Sequence, residues 1–188
     1  MKSSKFAIAV DSDTLTAVRS QDRAAQERVF RLFERPVFTL ALRICQDEQD
    51  AMDVLQDTFV HAFSRIHQYR ADAPFWGWLR QVAVNTCLGR LRKRKGGHLS
   101  LVGESEEVRQ EHPDMQMDLA GALARLSPDG RAVVWLYDVE GYSHQEIADL
   151  YGRSVSFSKT QLSRAHGRLR ELLNRDGGDA LCPQIATP

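Results

Sequence analysis

Apolar residues recur at helical spacing through the first half of the chain, and this periodicity restricts the possible fold more than any other feature of the sequence. It predicts a helical body over residues 20–95. The first run of apolar positions contains Val29, Phe33, Val37, Leu40 and Ile44. Pro36 lies within this run. Because proline fits the start of a helix better than its interior, we expect Pro36 to divide the run by starting a second helix.

The next predicted helix carries a row of carboxylates. Its apolar face is formed by Ala51, Val54, Leu55, Phe59, Ala62, Phe63 and Ile66. Asp50, Asp53 and Asp57 fall at i, i+3 and i+7 on another face, and we call them the carboxylate stripe. We expect this stripe to face either solvent or a partner.

A further helix is predicted after a loop over residues 67–74. We expect its buried side to contain Phe75, Trp78, Leu79, Val82, Ala83 and Leu91. The other side carries Gln81, Asn85, Leu88 and Arg92. Trp76 falls outside the buried set, so the pattern predicts that its ring is exposed.

A second helical body is predicted near the C-terminus. Residues 96–118 lack periodicity and are rich in acids, which is typical of an extended linker. Ser127 and Pro128 then suit the N-cap and first position of a helix that ends near Gly141. A capping box starting at Ser143 opens a short helix through Leu150, and Ser154 can cap another. We expect that last helix to bury Val155, Leu162, Ala165, Leu169 and Leu172. Two helices across a turn that contains glycine predict a helix-turn-helix.

Charge is segregated along the 188 residues, although 25 Lys and Arg balance 25 Asp and Glu. Residues 44–62 and 101–127 are acidic, whereas residues 75–100 and 151–175 are basic. Such asymmetry indicates separate surfaces for separate partners, with a polyanion against each basic block. The alternative for any one block is a solvated charged face.

Several classes of protein are disfavoured by the sequence. No window approaches the roughly 18 apolar residues of a membrane span, and no signal-peptide core is present, so we expect a cytoplasmic protein. Cys45, Cys87 and Cys182 are far apart and contain no C-x-x-C pair, so we expect free thiols and no metal site. The sequence contains no phosphate-binding loop, zincin motif or nucleophile-elbow motif. We therefore expect that the protein binds no cofactor and is not an enzyme.

Three motifs in this order resemble the bacterial RNA polymerase sigma factors of the extracytoplasmic-function (ECF) class. They are DAMDVLQDTF at residues 50–59, FWGWLRQVAVN at residues 75–85, and LSP at 126–128 followed by GYSHQEIA at 141–148. The resemblance covers about residues 20–175. It implies an all-α protein of two small helical domains, joined by an acidic linker, that binds core RNA polymerase and directs it to promoters.

The resemblance also implies a division of the chain. Residues 1–19 would be an extension, 20–95 a region 2 domain, 96–118 the linker, 119–175 a region 4 domain and 176–188 a tail. The linker acids could lie along the path that the polymerase reserves for template or nascent RNA, or they could belong to a solvated spacer.

In the family, the helix that matches residues 50–66 docks on a basic coiled coil of the polymerase. The implied core-binding residues are Asp50, Asp53, Gln56 and Asp57. Complementary charge across such an interface chiefly sets register and association rate. The alternative is a solvated acidic face.

The loop and helix at residues 69–95 match the part of the family that melts and reads the promoter element near minus ten. The implied contacts are Trp76, Arg80, Gln81, Asn85, Arg92 and Lys93. In this interpretation Trp76 stacks on or wedges between bases, Asn85 reads an unpaired base, and the basic side chains of residues 90–95 neutralise phosphates. The alternatives are a packed core ring for Trp76 and a surface amide for Asn85.

The second helix of the helix-turn-helix would enter the major groove near minus thirty-five. The implied contacts are Ser156, Lys159, Thr160, Gln161, Ser163, Arg164 and Arg168. The chain departs from the usual family pattern here, since Phe157 is unusual and Gln161 stands where Arg is frequent. Glutamine pairs bidentately with adenine, so we expect Gln161 to help set the upstream specificity.

Core polymerase and promoter DNA are the expected partners, and an anti-sigma protein is usual in the family. A freestanding helix-turn-helix regulator is the alternative function. It would explain residues 143–175 but not the carboxylate stripe or the helix that contains Asn85.

Overall fold

The structure is a computed structural model that describes residues 8–97 and 119–175. Every regular element within these ranges is helical, which confirms the predicted all-α class. The chain divides into two compact units, residues 1–101 and 102–188, and each is described by itself. The predicted linker, apart from its first two residues, and the tail lie outside the described residues.

Within residues 8–97, the first unit contains four helices and a short 3-10 turn. The helices are α1 (Ser12–Arg19), α2 (Arg23–Cys45), α3 (Glu48–Ser64) and α4 (Phe75–Gly97), and the 3-10 turn is Ile66–Gln68. The long helices α2, α3 and α4 pack against one another, and α1 packs against α2. The side chains of Asp11, Asp22 and Asp47 each accept a backbone hydrogen bond of 2.7 Å at the starts of α1, α2 and α3. The hydrogen bonds from Thr14 lower the pKa of Asp11.

Helix α1 precedes the helical body that periodicity predicted. Only Leu15 and Val18 are buried in it, so it offers too few apolar positions to give a periodic signal. Val18 is fully buried, and its packing makes α1 part of the first unit.

The expectation that Pro36 starts a new helix is wrong, because α2 continues from Arg23 to Cys45 with Pro36 inside it. Phe33 and Val37 flank the proline and are both 0% exposed. An interior proline costs about 3 kcal/mol, whereas fully burying two such side chains contributes about 3 to 6 kcal/mol. Burial on both sides of Pro36 therefore keeps the helix continuous.

The predicted faces of α4 are only partly right. The buried residues are Phe75, Trp76, Leu79, Ala83, Val84, Cys87, Leu88 and Leu91. Leu88, assigned to the polar side, is 2% exposed, and Trp78, assigned to the core, is half-buried. Helix α4 packs against both α2 and α3, so its buried surface is wider than the single stripe that periodicity assumes.

Cys45 and Cys87 are buried free thiols in this core, as the sequence predicts for them. Their side chains contact each other, and this hydrogen bond together with burial raises the pKa of Cys87. Cys182 lies outside the described residues.

The described part of the second unit, residues 119–175, contains four further helices. They are α5 (Leu119–Ala124), α6 (Pro128–Val134), α7 (His144–Tyr151) and α8 (Val155–Arg175), with a π-helical turn, Trp135–Val139, directly after α6. Helix α8 packs against α5, α6 and α7. The Ser127 cap is present, and so is the Ser143 capping box, in which Glu146 returns the hydrogen bond. These caps start α6 and α7 at the predicted residues.

The turn between α7 and α8 depends on glycine. Gly152 has a φ of 60°, in the left-handed region that other residues avoid, and its N–H bonds back to α7. This turn redirects the chain into α8 and completes the predicted helix-turn-helix. No helix among the described residues is long and apolar enough to cross a membrane.

Candidate nucleic-acid and protein interfaces

A groove of about 800 Å³ runs along α3 and α4 in the first unit. From α4 it is lined by Trp78, Gln81, Val82, Asn85, Thr86, Gly89, Arg90, Lys93 and Arg94. Asp50, Asp57, His61, Arg65 and Gln68 line it from α3 and the segment that follows it. Both sets recur at helical spacing, so one face of each helix forms a wall. The groove thus combines an aromatic ring, amides and several cations.

The tryptophan that reaches this groove is Trp78. Trp76 is 3% exposed, and its ring stacks on Phe33 with centroids 5.8 Å apart and planes 2° apart. The predicted exposure of Trp76 is therefore wrong, and its ring belongs to the core. The Trp78 ring lies near those of Tyr69 and Phe75, with centroids 5.7 Å and 5.6 Å away, and it is half-buried and lines the groove.

Tyr69 fixes the loop that leads into α4. Its hydroxyl donates a 2.7 Å hydrogen bond to the carbonyl of Ala73, and burial raises its pKa. Its carbonyl accepts a 2.9 Å hydrogen bond from Arg19. These bonds hold the aromatic end of the groove in place.

The carboxylate stripe is paired within the chain. Arg90 Nε donates to Asp50 Oδ1 at 2.8 Å, a second Arg90 nitrogen contacts Asp53, and a third lies 3.8 Å from Asp57. Arg94 Nη1 donates to the other Asp50 oxygen at 2.8 Å. The hydrogen bond with Asp50 is the main cause of the raised pKa of Arg90. The stripe therefore joins α3 to α4 as well as facing outward.

Three of the predicted minus-ten contacts, Gln81, Asn85 and Lys93, line the groove together. Arg80 and Arg92 are not part of its lining; Arg80 is half-buried and Arg92 is exposed. On α3, Gln56 is exposed between Met52 and Val60, which are 50% and 60% exposed. An amide and two apolar side chains thus share the outer face of α3.

Sequence reasoning missed Trp78, His61 and Arg65 as groove residues. Trp78 was assigned to the core from periodicity, and the second wall of the groove comes from a helix distant in sequence. His61 and Arg65 fall at i+4 and i+8 from Asp57, which could have placed them beside the stripe.

Helix α8, the second helix of the helix-turn-helix, presents most of the predicted minus-thirty-five contacts to solvent. Ser156, Lys159, Thr160, Ser163 and Arg164 are exposed, whereas Gln161 and Arg168 are half-buried. Arg168 also pairs with Glu171 at 3.2 Å. These side chains lie along one helix that α7 supports.

Two contacts fix α8 against α7. Ser158 is fully buried, and its hydroxyl lies 3.0 Å from His144 Nδ1. Phe157, unusual in the sequence, packs against Tyr151 with ring centroids 5.1 Å apart. Phe157 therefore supports the motif and is not free to contact a base edge.

Two family models match the chain. "Sigma-70 region 2" matches residues 29–96, and "Sigma-70, region 4" matches residues 116–169. Each match falls within one of the two compact units, and the region 4 match begins before the first described residue of the second unit.

Curated relatives and solved structures agree with these models. The ECF RNA polymerase sigma factor SigM of Mycobacterium tuberculosis is 32% identical over 165 residues, which cover 87% of this chain and 84% of that protein. SigE of Mycolicibacterium smegmatis is 29% identical over 184 residues, covering 90% and 71%. The sigma factor RpoE from Bartonella quintana, solved with the anti-sigma factor NepR, is similar in fold with a TM-score of 0.54 at 24% identity, covering 79% of this chain and 96% of that one. CnrH, solved with the cytosolic domain of CnrY, gives a TM-score of 0.53 at 23% identity, covering 87% and 97%.

Proposed function

Because the chain belongs to the ECF-type RNA polymerase sigma factors, with sigma-70 regions 2 and 4, we propose which of its side chains serve each step of promoter recognition. A sigma factor binds RNA polymerase, directs it to promoters and is not an enzyme. The observation that carries the assignment is the groove between α3 and α4, where a half-buried ring, three amides and several cations lie together.

The groove is the proposed site for the unpaired strand near minus ten. Trp78 offers a ring on which a base can stack, a contact worth roughly 1 to 3 kcal/mol. Gln81 and Asn85, four residues apart on α4, can hydrogen-bond the edge of that base. Lys93 lies further along the same wall and can neutralise a phosphate.

The core-binding surface is proposed to be the outer face of α3. Gln56 is exposed there, with Asp57 beside it at 54% side-chain exposure and Asp53 at 36%. Asp50 has a side-chain exposure of only 17%, so it takes the least part in an outward contact. Exposed carboxylates around an amide suit a basic helical partner.

The recognition helix α8 is proposed to read the element near minus thirty-five. Gln161 is the proposed base reader, whereas Lys159, Arg164 and Arg168 would act mainly on phosphates. The exposed serines and Thr160 complete this surface.

The domain assignment is also proposed. Region 2 would comprise residues 12–95, because α1 packs against α2, and region 4 would comprise residues 119–175. Residues 96–118 would be the linker, and an anti-sigma protein is a further proposed partner. The complexes of RpoE with NepR and of CnrH with CnrY support that last proposal.

Transcription by core polymerase with this protein, followed by sequencing of transcript 5′ ends, tests the function and defines the promoter. We expect discrete start sites with shared upstream elements. Transcription that starts no differently with and without the protein would instead favour a freestanding regulator.

Variants test each surface at the promoter so defined. Asn85→Ala and Trp78→Ala should reduce permanganate reactivity of the opened strand while core binding is retained, with Thr39→Ala, at an exposed position of α2, as the surface control. Asp53→Lys with Asp57→Lys should weaken core binding, because like charges would meet. Unchanged promoter opening with Asn85→Ala and Trp78→Ala would contradict the assignment of the groove. Unchanged core binding by the double variant of Asp53 and Asp57 would contradict the assignment of α3.

A promoter library tests the recognition helix. Gln161→Arg should shift preference toward guanine at one upstream position, a change of roughly 1 to 3 kcal/mol in discrimination. Arg168→Ala should weaken all sequences alike. An unchanged preference with Gln161→Arg would show that another residue reads the bases.

A further inference from the structure

Arg90 and Arg94 belong to the basic run of α4, yet both are held by α3. Three nitrogens of Arg90 point at three different carboxylates, those of Asp50, Asp53 and Asp57. Both oxygens of Asp50 are used, one by Arg90 and the other by Arg94, each at 2.8 Å. Asp50 is therefore the residue that holds both guanidinium groups.

A guanidinium in this arrangement must exchange a carboxylate for a phosphate before it can bind DNA. An arginine recognises a phosphate with the same nitrogens that it uses for a carboxylate. Arg90 and Arg94 also line the groove proposed for the minus-ten strand. The carboxylates thus occupy cations at the place where phosphates of that strand would lie.

We propose that the carboxylate stripe acts as an internal phosphate mimic, which withholds Arg90 and Arg94 from promoter DNA until polymerase engages α3. This inference rests on the proposed function, in which α3 binds core and the groove binds the opened strand. Asp50 is then a positioning residue that acts through the two arginines. Polymerase cations that take up Asp53 and Asp57 would leave Arg90 and Arg94 to share the single carboxylate of Asp50, so that a strand phosphate could displace it from them.

The ion pairs of Arg90 and Arg94 with the carboxylate stripe can be exchanged for contacts with DNA phosphates or polymerase cations. The side chains of Arg90 and Arg94 are 28% and 59% exposed, and partly exposed pairs contribute little net stability because water screens them. A competing anion or cation can therefore replace them. Because coupling between two binding sites is reciprocal, bound DNA would in turn strengthen core binding.

The test measures the full-length factor alone binding a labelled single-stranded oligonucleotide that carries the mapped minus-ten element, by fluorescence anisotropy. Asp50→Asn should bind more tightly than the parent, by up to about fivefold for each of the two partly exposed ion pairs, with Arg90 and with Arg94, that it removes. Glu48→Gln is the matched control, since it removes one exposed charge at the start of the same helix. Equal affinities for these two variants would overturn the proposal.

Two further measurements separate release of arginines from a general change in charge. The tighter binding should vanish when Arg90→Ala and Arg94→Ala are added to Asp50→Asn. The salt dependence of Asp50→Asn should also steepen by about 0.7 for each additional phosphate that the released arginines neutralise. Tighter binding that survives loss of both arginines, or an unchanged salt slope, would refute the proposal. Thermal melting by circular dichroism verifies that each variant is folded.

Saturating core polymerase provides the final comparison. The parent and Asp50→Asn should then bind the strand alike, because polymerase has already relieved the cluster. If the parent and Asp50→Asn differ in strand affinity by the same factor with and without core polymerase, then polymerase does not release the arginines. If the parent with core fails to bind promoter DNA at all, the proposed function itself fails, and this outcome is distinct from the result with the factor alone.

Discussion

The position of Trp76 in the core leads to a quantitative prediction about stability. Its ring is 3% exposed and stacks on Phe33, which is itself fully buried. Removing such a ring loses its burial and leaves a cavity in the packed helices. We expect Trp76→Ala to lower the free energy of unfolding of the first unit by about 3 to 5 kcal/mol.

The matched variant is Trp78→Ala, two residues along the same helix. Trp78 is half-buried and contacts Tyr69 and Phe75 on one side. Its loss should therefore cost only about 1 to 2 kcal/mol of folding free energy. The two variants should therefore differ in what they lose, because Trp76→Ala lowers folding stability whereas Trp78→Ala mainly reduces opening of the promoter strand.

Urea unfolding followed by tryptophan fluorescence measures this difference in a Trp135→Phe background. The remaining tryptophan then reports the first unit alone, because Trp135 lies in the second unit. Equal destabilisation by the two substitutions, or a larger effect of Trp78→Ala, would refute the assignment of Trp76 to the core.

Three further predictions concern single positions. The raised pKa of Cys87 keeps its buried thiol protonated, and the stability that this thiol contributes is full below its unfolded pKa and falls as pH rises through the folded pKa. In a Cys182→Ser background, Cys45 and Cys87 should resist alkylation at pH 8 until urea unfolds the first unit, and rapid labelling of either one in the native protein would contradict this. Gly152→Ala should destabilise the second unit by about 1 kcal/mol, because Gly152 has a positive φ. Gly167→Ala should instead stabilise that unit by a similar amount, since Gly167 lies within α8 with open space around it, and thermal melting compares the two variants. Ser143→Ala removes the cap of α7 and should cost about 1 kcal/mol, with faster amide exchange in the first turn of that helix; unchanged exchange there would argue against the cap.

Local sequence determined the starts of α6 and α7 and the turn before α8. The capping box at Ser143, the cap at Ser127 and the glycine turn at Gly152 act over a few residues, so their patterns can be recognised without the fold. Three motifs in one order were likewise enough to indicate the family, which the relatives and family models confirm.

Only the tertiary structure decided how the helices face one another. Pro36 stays inside α2 because both of its flanks are buried, and Trp76 and Trp78 exchange their expected roles because α4 packs against two neighbours at once. The pairing of Asp50 with Arg90 joins residues forty positions apart in sequence. Periodicity describes one helix at a time, whereas burial and ion pairing depend on which helix lies opposite, and for this reason the groove and its charge cluster became visible only in the folded unit.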